Sequence, residues 1–360
     1  MKRILWVIAF VLCGWGLFGT VGWAQDIVLP SVPLPEELAD SFGGLPENPG
    51  EVANWLDGEK VLSFAADRFS FSLENGLAAF LSLTGVSALS AVMGMLCLSI
   101  GRQGVMNAFD YTALLCGAVV MFAPVRAVMT GVEAHVATLS SFATGVIPLY
   151  MGVCTACGMN GLGIASGAGL SLVVSFSALL CSKILLPMLH CCLLLGFSAS
   201  VANLTGISQI AQSVRRFFVG TVGCVSAILT AVFAFQSVIA AKADTFGART
   251  VRYVTTSVLP LVGGALSEAS RTLSSAFSLV GGVLGGVGVA VVVLLLLPIL
   301  LELWMLRLAF SAAGGMAQML GCERLGMLYR QGGTLFGALL AIVSLLDAVL
   351  VFEFALMMKI

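Results

Sequence analysis

From residue 76 to the C-terminus, apolar runs of membrane-spanning length alternate with short polar or basic connectors. About 20 apolar residues cross the hydrocarbon core of a bilayer. Residues 76–100, 111–130, 134–158, 219–241 and 334–357 each reach that length and predict single spans, the second interrupted by Pro124 and Arg126. Residues 165–203 form a longer apolar run, broken near Lys183 and Pro187, and residues 281–313 form another. Each is too long for one crossing and short for two, which predicts a tight hairpin of short spans or a re-entrant pair. Residues 251–270 differ from an ordinary span. They carry Pro260 and the pair Gly263 and Gly264 in an apolar background, with Arg249, Arg252, Glu268 and Arg271 around it. Residues 206–218 and 321–331 read as amphipathic connectors.

The N-terminal quarter has another pattern. Met1-Lys2-Arg3, an apolar stretch from Ile4 to Phe18 and the small residues Gly22 and Ala24 before Gln25 have the three parts of a secretory signal. An uncleaved anchor helix fits the same residues, and in either case the chain after Ala24 faces outward. Pro30, Pro33, Pro35, Pro46 and Pro49 make the following segment an extended linker. Val52, Trp55, Leu56, Leu62, Phe64, Phe69 and Phe71, with charges between them, predict one or two amphipathic helices on the outer surface.

A second regularity lies above the spans. Thr144-Gly145-Val146-Ile147-Pro148-Leu149 is echoed by Thr256-Ser257-Val258-Leu259-Pro260-Leu261, and the two prolines lie 112 positions apart. Leu185-Leu186-Pro187 recurs as Leu296-Leu297-Pro298, and Gly196-Phe197-Ser198-Ala199 as Ala309-Phe310-Ser311-Ala312. Matches at nearly constant offset predict an internal duplication. The expected fold is therefore an all-α polytopic membrane protein with two tandem repeats of about 112 residues plus a final span. Its divisions are a signal peptide at 1–24, an extracytoplasmic segment at 25–75, a first span at 76–101, repeats at 102–205 and 206–320, and a connector with the last span at 321–360. The basic connectors also recur: Arg102, the pair Arg215 and Arg216, and Arg324 with Arg330. Parallel repeats put all of them on one side, which the positive-inside rule makes cytoplasmic; inverted repeats would put Arg215 and Arg216 outside.

Composition sharpens the class. The chain is 59% hydrophobic and 10% charged, whereas soluble domains carry about 25% charged residues. A net charge of −1 gives no footprint for nucleic acid. Cys154 and Cys157 have CxxC spacing but no second pair or histidine to complete a zinc site. No cofactor is expected.

Candidate chemistry is sparse. Neither His135 nor His190 has a carboxylate at helical spacing to orient it as a base, and Glu133 lies on another face from His135. Without a Walker-type loop, nucleotide energy would have to come from a partner. Intramembrane charges are costly and must face protein or water, which singles out Asp347 midway along the last span and the pair Glu268 and Arg271, three residues apart. With them, Pro148, Gly152, Pro260, Gly263 and Gly264 predict a pore or repeat interface, since irregular backbone at membrane depth lines a cavity or is buried. The bland alternatives are ion pairs fixing helix register and plain proline kinks. Gly163, Gly167, Gly281, Gly282, Gly285 and Gly286 have GxxxG spacing and predict close helix contact, within one chain or in a homo-oligomer.

The segment Ala240-Ala241-Lys242-Ala243-Asp244 through Arg249-Thr250 to Val258-Leu259-Pro260-Leu261-Val262-Gly263-Gly264-Ala265-Leu266-Ser267-Glu268-Ala269 resembles the core of the stage III sporulation protein AE family. The resemblance is strongest from about residue 215 to 330, with Arg252 where lysine is expected. It implies a non-enzymatic component of the mother-cell membrane around the forespore. The implied partners are the ATPase and ring-forming proteins of the same operon and, indirectly, stage II sporulation protein Q. Together they would form a secretion or feeding channel that sustains late forespore gene expression. A self-contained secondary transporter of a small solute is the rival reading.

Overall fold

The computed structural model describes residues 58–100, 103–156, 160–202 and 263–357, with isolated positions at 38 and 42 and between 213 and 231. The signal and linker at 1–57, Arg102, Arg215, Pro260 and most of the span at 219–241 lie outside the described residues. In lipid every backbone polar group must be satisfied within the protein, so apolar runs fold as helices. The elements are α1 (Gly58–Ile100), α2 (Gln103–Ala156), α3 (Asn160–Leu180), a π turn (Cys181–Leu185), α4 (Leu186–Ala202), α5 (Gly263–Met319) and α6 (Glu323–Met357). Five helical stretches among the described residues are long and apolar enough to cross a membrane.

Helices run through places where the sequence predicted breaks. The spans expected at 111–130 and 134–158 are one 54-residue helix, α2, which carries Pro124 and Pro148 inside it. The hairpin expected at 165–203 is likewise a single path, with α3 continuing through the π turn into α4. There the backbone N–H of Leu186 donates to the carbonyl of Cys181, five residues back. A proline ring crowds the carbonyl four residues before it in a regular helix, and this wider turn comes just before Pro187. The broken run at 281–313 is continuous within α5, across Pro298. The connector at 321–331 and the last span are one helix, α6. A proline costs one hydrogen bond, and packing of neighbouring helices in lipid holds the rest of the ladder.

Register between helices follows from side-chain contacts. α5 and α6 form an antiparallel hairpin closed at Gly321, whose φ of 79° suits a residue without Cβ. Cys322 N–H donates to Ala317 O at 2.9 Å and Gly321 N–H to Gln318 O at 3.1 Å, the paired bonds of a Schellman cap. α2 runs parallel to α6. Gly117 faces Tyr329, Met121 reaches Gly332, His135 meets Asp347, and the Phe142 and Phe354 rings lie 5.8 Å apart. α1 runs against α6, with Tyr329 O–H donating to Leu83 O at 3.4 Å and Cys322 Sγ–H to Ser87 O at 3.8 Å. Gly167 approaches Met151 near one end of the third crossing, and Gly196 faces Gln331 near the other. α1, the α3–α4 path and α5 therefore point one way, and α2 and α6 the other. The α1–α2 junction, the end of α4 and the α5–α6 turn share one end of the bundle, called here the turn end.

The core has two clusters stacked along the bundle. The turn-end cluster contains Leu83, Met121, Leu303, Phe310, Tyr329 and Phe336. The far-end cluster contains Phe142, Tyr150, Leu170, Val291, Val292 and Phe354. On α2 the first ends at Val132 and the second begins at Leu139; on α6 the change falls between Val349 and Leu350.

Candidate functional site

The seam between the two clusters holds a buried histidine–aspartate pair. Nε2 of His135 lies 3.1 Å and 3.2 Å from the two carboxylate oxygens of Asp347. The Asp347 side chain is fully enclosed, and 7% of the histidine side chain remains exposed. Parallel packing of α2 and α6 brings these residues together across 212 positions of chain. Each stands on the buried stripe of its helix, between Val132 and Leu139 on α2 and between Val343 and Leu350 on α6. A lone polar side chain there would lack water, and each residue gives the other a hydrogen-bond partner.

Other polar groups mark the same level. Glu133 precedes His135 by two residues and is exposed, and it lies within electrostatic reach of Cys181 in the π turn. Lys183 of that turn is exposed and Glu302 of α5 is half-buried. On α6, the Oγ of Ser344, one turn before Asp347, is enclosed with no hydrogen-bond partner among the described residues. A crevice of about 20 Å³, lined by Val136, Leu139 and Ser140 of α2, Val174 and Ala178 of α3, and Leu346 and Leu350 of α6, opens beside the pair. Its walls are apolar apart from Ser140, and neither member of the pair lines it. Among the described residues no group of three or more His, Cys, Asp or Glu is placed to hold a metal ion. The arrangement suits holding a proton, and among the described residues no hydroxyl or thiol is hydrogen-bonded to the His135 ring.

The remaining candidates are dispersed. Pro148 and Gly152 lie on the exposed side of α2, and a Cβ at Gly152 would meet nothing within 4 Å. Gly263, Gly264, Glu268 and Arg271 fall in the first turns of α5, and Gly281 and Gly282 further along it; their side-chain surroundings, like that of Gly163 in α3, lie outside the described residues. Gly285 and Gly286 are buried. Gly167 lets α3 approach α2 so closely that a Cβ there would stand 2.7 Å from Cγ of Met151. At the turn end, the Arg324 guanidinium sits 5.6 Å from the Tyr111 ring centroid, which ties the start of α6 to that of α2. Arg330 and Arg216 are exposed.

His135 was not among the site residues expected from sequence, because its only carboxylate neighbour in sequence, Glu133, is on another face. The correction is that its partner comes from the last helix. No spacing within the chain announces a contact between parallel helices that are not consecutive. Nδ1 of the other histidine, His190, lies 2.9 Å from the carbonyl oxygen of Leu186, within its own helix.

The family model for stage III sporulation protein AE matches residues 58–360, which takes in all of α1 through α6. The chain belongs to the stage III sporulation protein AE family. It is similar to the stage III sporulation protein AE of Bacillus subtilis (strain 168), at 25% identity over 306 residues, which is 79% of this chain and 73% of that one. No solved structure matches. The family is named for a stage of sporulation and not for a reaction, and the five membrane-length helices make this member a multi-pass membrane protein of that kind. The seam pair, both residues of which fall inside the matched region, is therefore a feature of a sporulation membrane protein.

Proposed function

We propose that the chain is a non-enzymatic integral membrane subunit of a trans-envelope secretion or feeding channel between mother cell and forespore. It sits in the mother-cell membrane around the forespore, with its turn end in the cytoplasm. It assembles with the ATPase and ring-forming proteins of the stage III sporulation A operon and, through them, with stage II sporulation protein Q. The observation that carries this reading is the family match across the whole helical bundle. Arg324 and Arg330 at the turn end suit a cytoplasmic placement.

Affinity purification of the tagged full chain from sporulating cells, in mild detergent with partners identified by mass spectrometry, tests the reading. Co-purification with the operon's ATPase and ring proteins is the expected result. Recovery as a stable oligomer of this chain alone would overturn it in favour of the transporter.

A further inference from the structure

We propose that His135 and Asp347 form a proton-exchange site, in which a proton is taken up and released at Nδ1 of His135 while Nε2 stays bonded to the carboxylate. Nε2 is committed to Asp347. Nδ1 makes no hydrogen bond to any described residue, and the pair's residual exposure is all on the histidine, since Asp347 is fully enclosed. Both members are buried, and a purely structural pair would also satisfy both ring nitrogens. Here one nitrogen is left available, next in sequence to Val136, which lines a small crevice whose walls are apolar apart from Ser140.

The proton balance is simple. With Nε2–H donating to the ionised carboxylate and Nδ1 bare, the pair carries a net charge of −1. A proton delivered by water to Nδ1 converts it to imidazolium and carboxylate, net zero, and its return to water reverses the step. Nothing else forms or breaks. The titratable and charged groups near this level on the surrounding elements include Asp67 and Arg68 on α1, Arg126 and Glu133 on α2, Cys181 and Lys183 in the π turn, Glu302 on α5 and Glu353 on α6. Glu133 and Lys183 are exposed, Glu302 is half-buried, and Glu353 is buried two turns beyond Asp347. Because the two states differ by a full charge where two apolar clusters meet, loading the site changes how tightly α2 and α6 hold together. The inference does not depend on which complex the protein joins.

The test uses the full chain in lipid nanodiscs, labelled with ¹⁵N-histidine. Only two histidines are present, so His190→Gln leaves the His135 resonances alone in the spectrum. The expected result is that the Nδ1 resonance moves between neutral and cationic shifts as the pH is changed, and that Asp347→Asn displaces the midpoint of that change. If Asp347→Asn does not fold, Asp347→Glu serves, since moving the carboxylate by one methylene must also move the midpoint. Nitrogen shifts that stay constant across the range, or a midpoint indifferent to residue 347, would overturn the proposal and leave the pair as a fixed clip.

Discussion

A buried pair in an apolar seam costs desolvation and returns it only through its geometry. Both carboxylate oxygens of Asp347 lie within 3.2 Å of one histidine nitrogen, so removing either residue strands the other. Asp347→Leu should therefore lower stability by about 3–5 kcal/mol, whereas the double replacement His135→Leu with Asp347→Leu should recover most of that loss. Thermal unfolding in detergent reads both. A double variant as unstable as the single would mean that the seam needs its polar groups for something other than each other. Glycine packing gives a second prediction at this scale. A methyl group at Gly288 would overlap the Phe354 ring, while one at Gly315 would meet nothing within 4 Å. Gly288→Ala should cost about 1–3 kcal/mol by overpacking, and Gly315→Ala should be neutral or stabilising by up to about 1 kcal/mol. Equal effects in the same assay would contradict the packing of α5 on α6.

At the scale of the element, the prolines decide what the sequence could reveal. Apolar runs announced the membrane class and the helical content, because length and composition alone set those. Pro124, Pro148, Pro187 and Pro298 read as interruptions, yet each lies within a continuous helical path. A proline perturbs its own turn, and whether the helix resumes depends on neighbours that a local pattern does not contain. Asp347 was legible as a charge midway along an apolar run; His135 was not, since its partner became visible only with helix order. Pro187 alone follows a π turn, which tests whether the proline requires it. Deleting Ser182 should convert the turn to α geometry, keep both flanking faces in register and press the Pro187 ring against the preceding turn, at a cost of about 3 kcal/mol. Adding Pro187→Ala should restore most of that stability. Failure of the rescue would assign the wider turn to its position beside the seam and not to the proline.

Across the whole molecule, length and polarity are in tension. At 1.5 Å per residue, the 57 residues of α5 run about 86 Å and the 54 of α2 about 81 Å, against a hydrocarbon core of about 30 Å. Exposed Arg126, Glu133 and Lys183 cannot face lipid tails, and they stand at or near the level of the seam. Large apolar side chains are exposed on the turn-end side of that level, among them Leu81, Leu89, Met95, Leu115, Val119 and Leu194. α2 and α6 run parallel through this surface, and α1 runs against them. This geometry requires the starts of α2 and α6 to lie on one side of the membrane and the start of α1 on the other. Single cysteines at Gly104, Glu323 and Gly58, in a background lacking the ten native cysteines, make that measurable with a membrane-impermeant thiol reagent. Gly104→Cys and Glu323→Cys should label together, only once the cytoplasmic face is opened, and Gly58→Cys should label in intact cells. Labelling of Gly104→Cys and Glu323→Cys from opposite sides would break the parallel register of α2 and α6 on which the His135–Asp347 contact depends. Joint labelling from outside would keep the fold and reverse its orientation in the membrane.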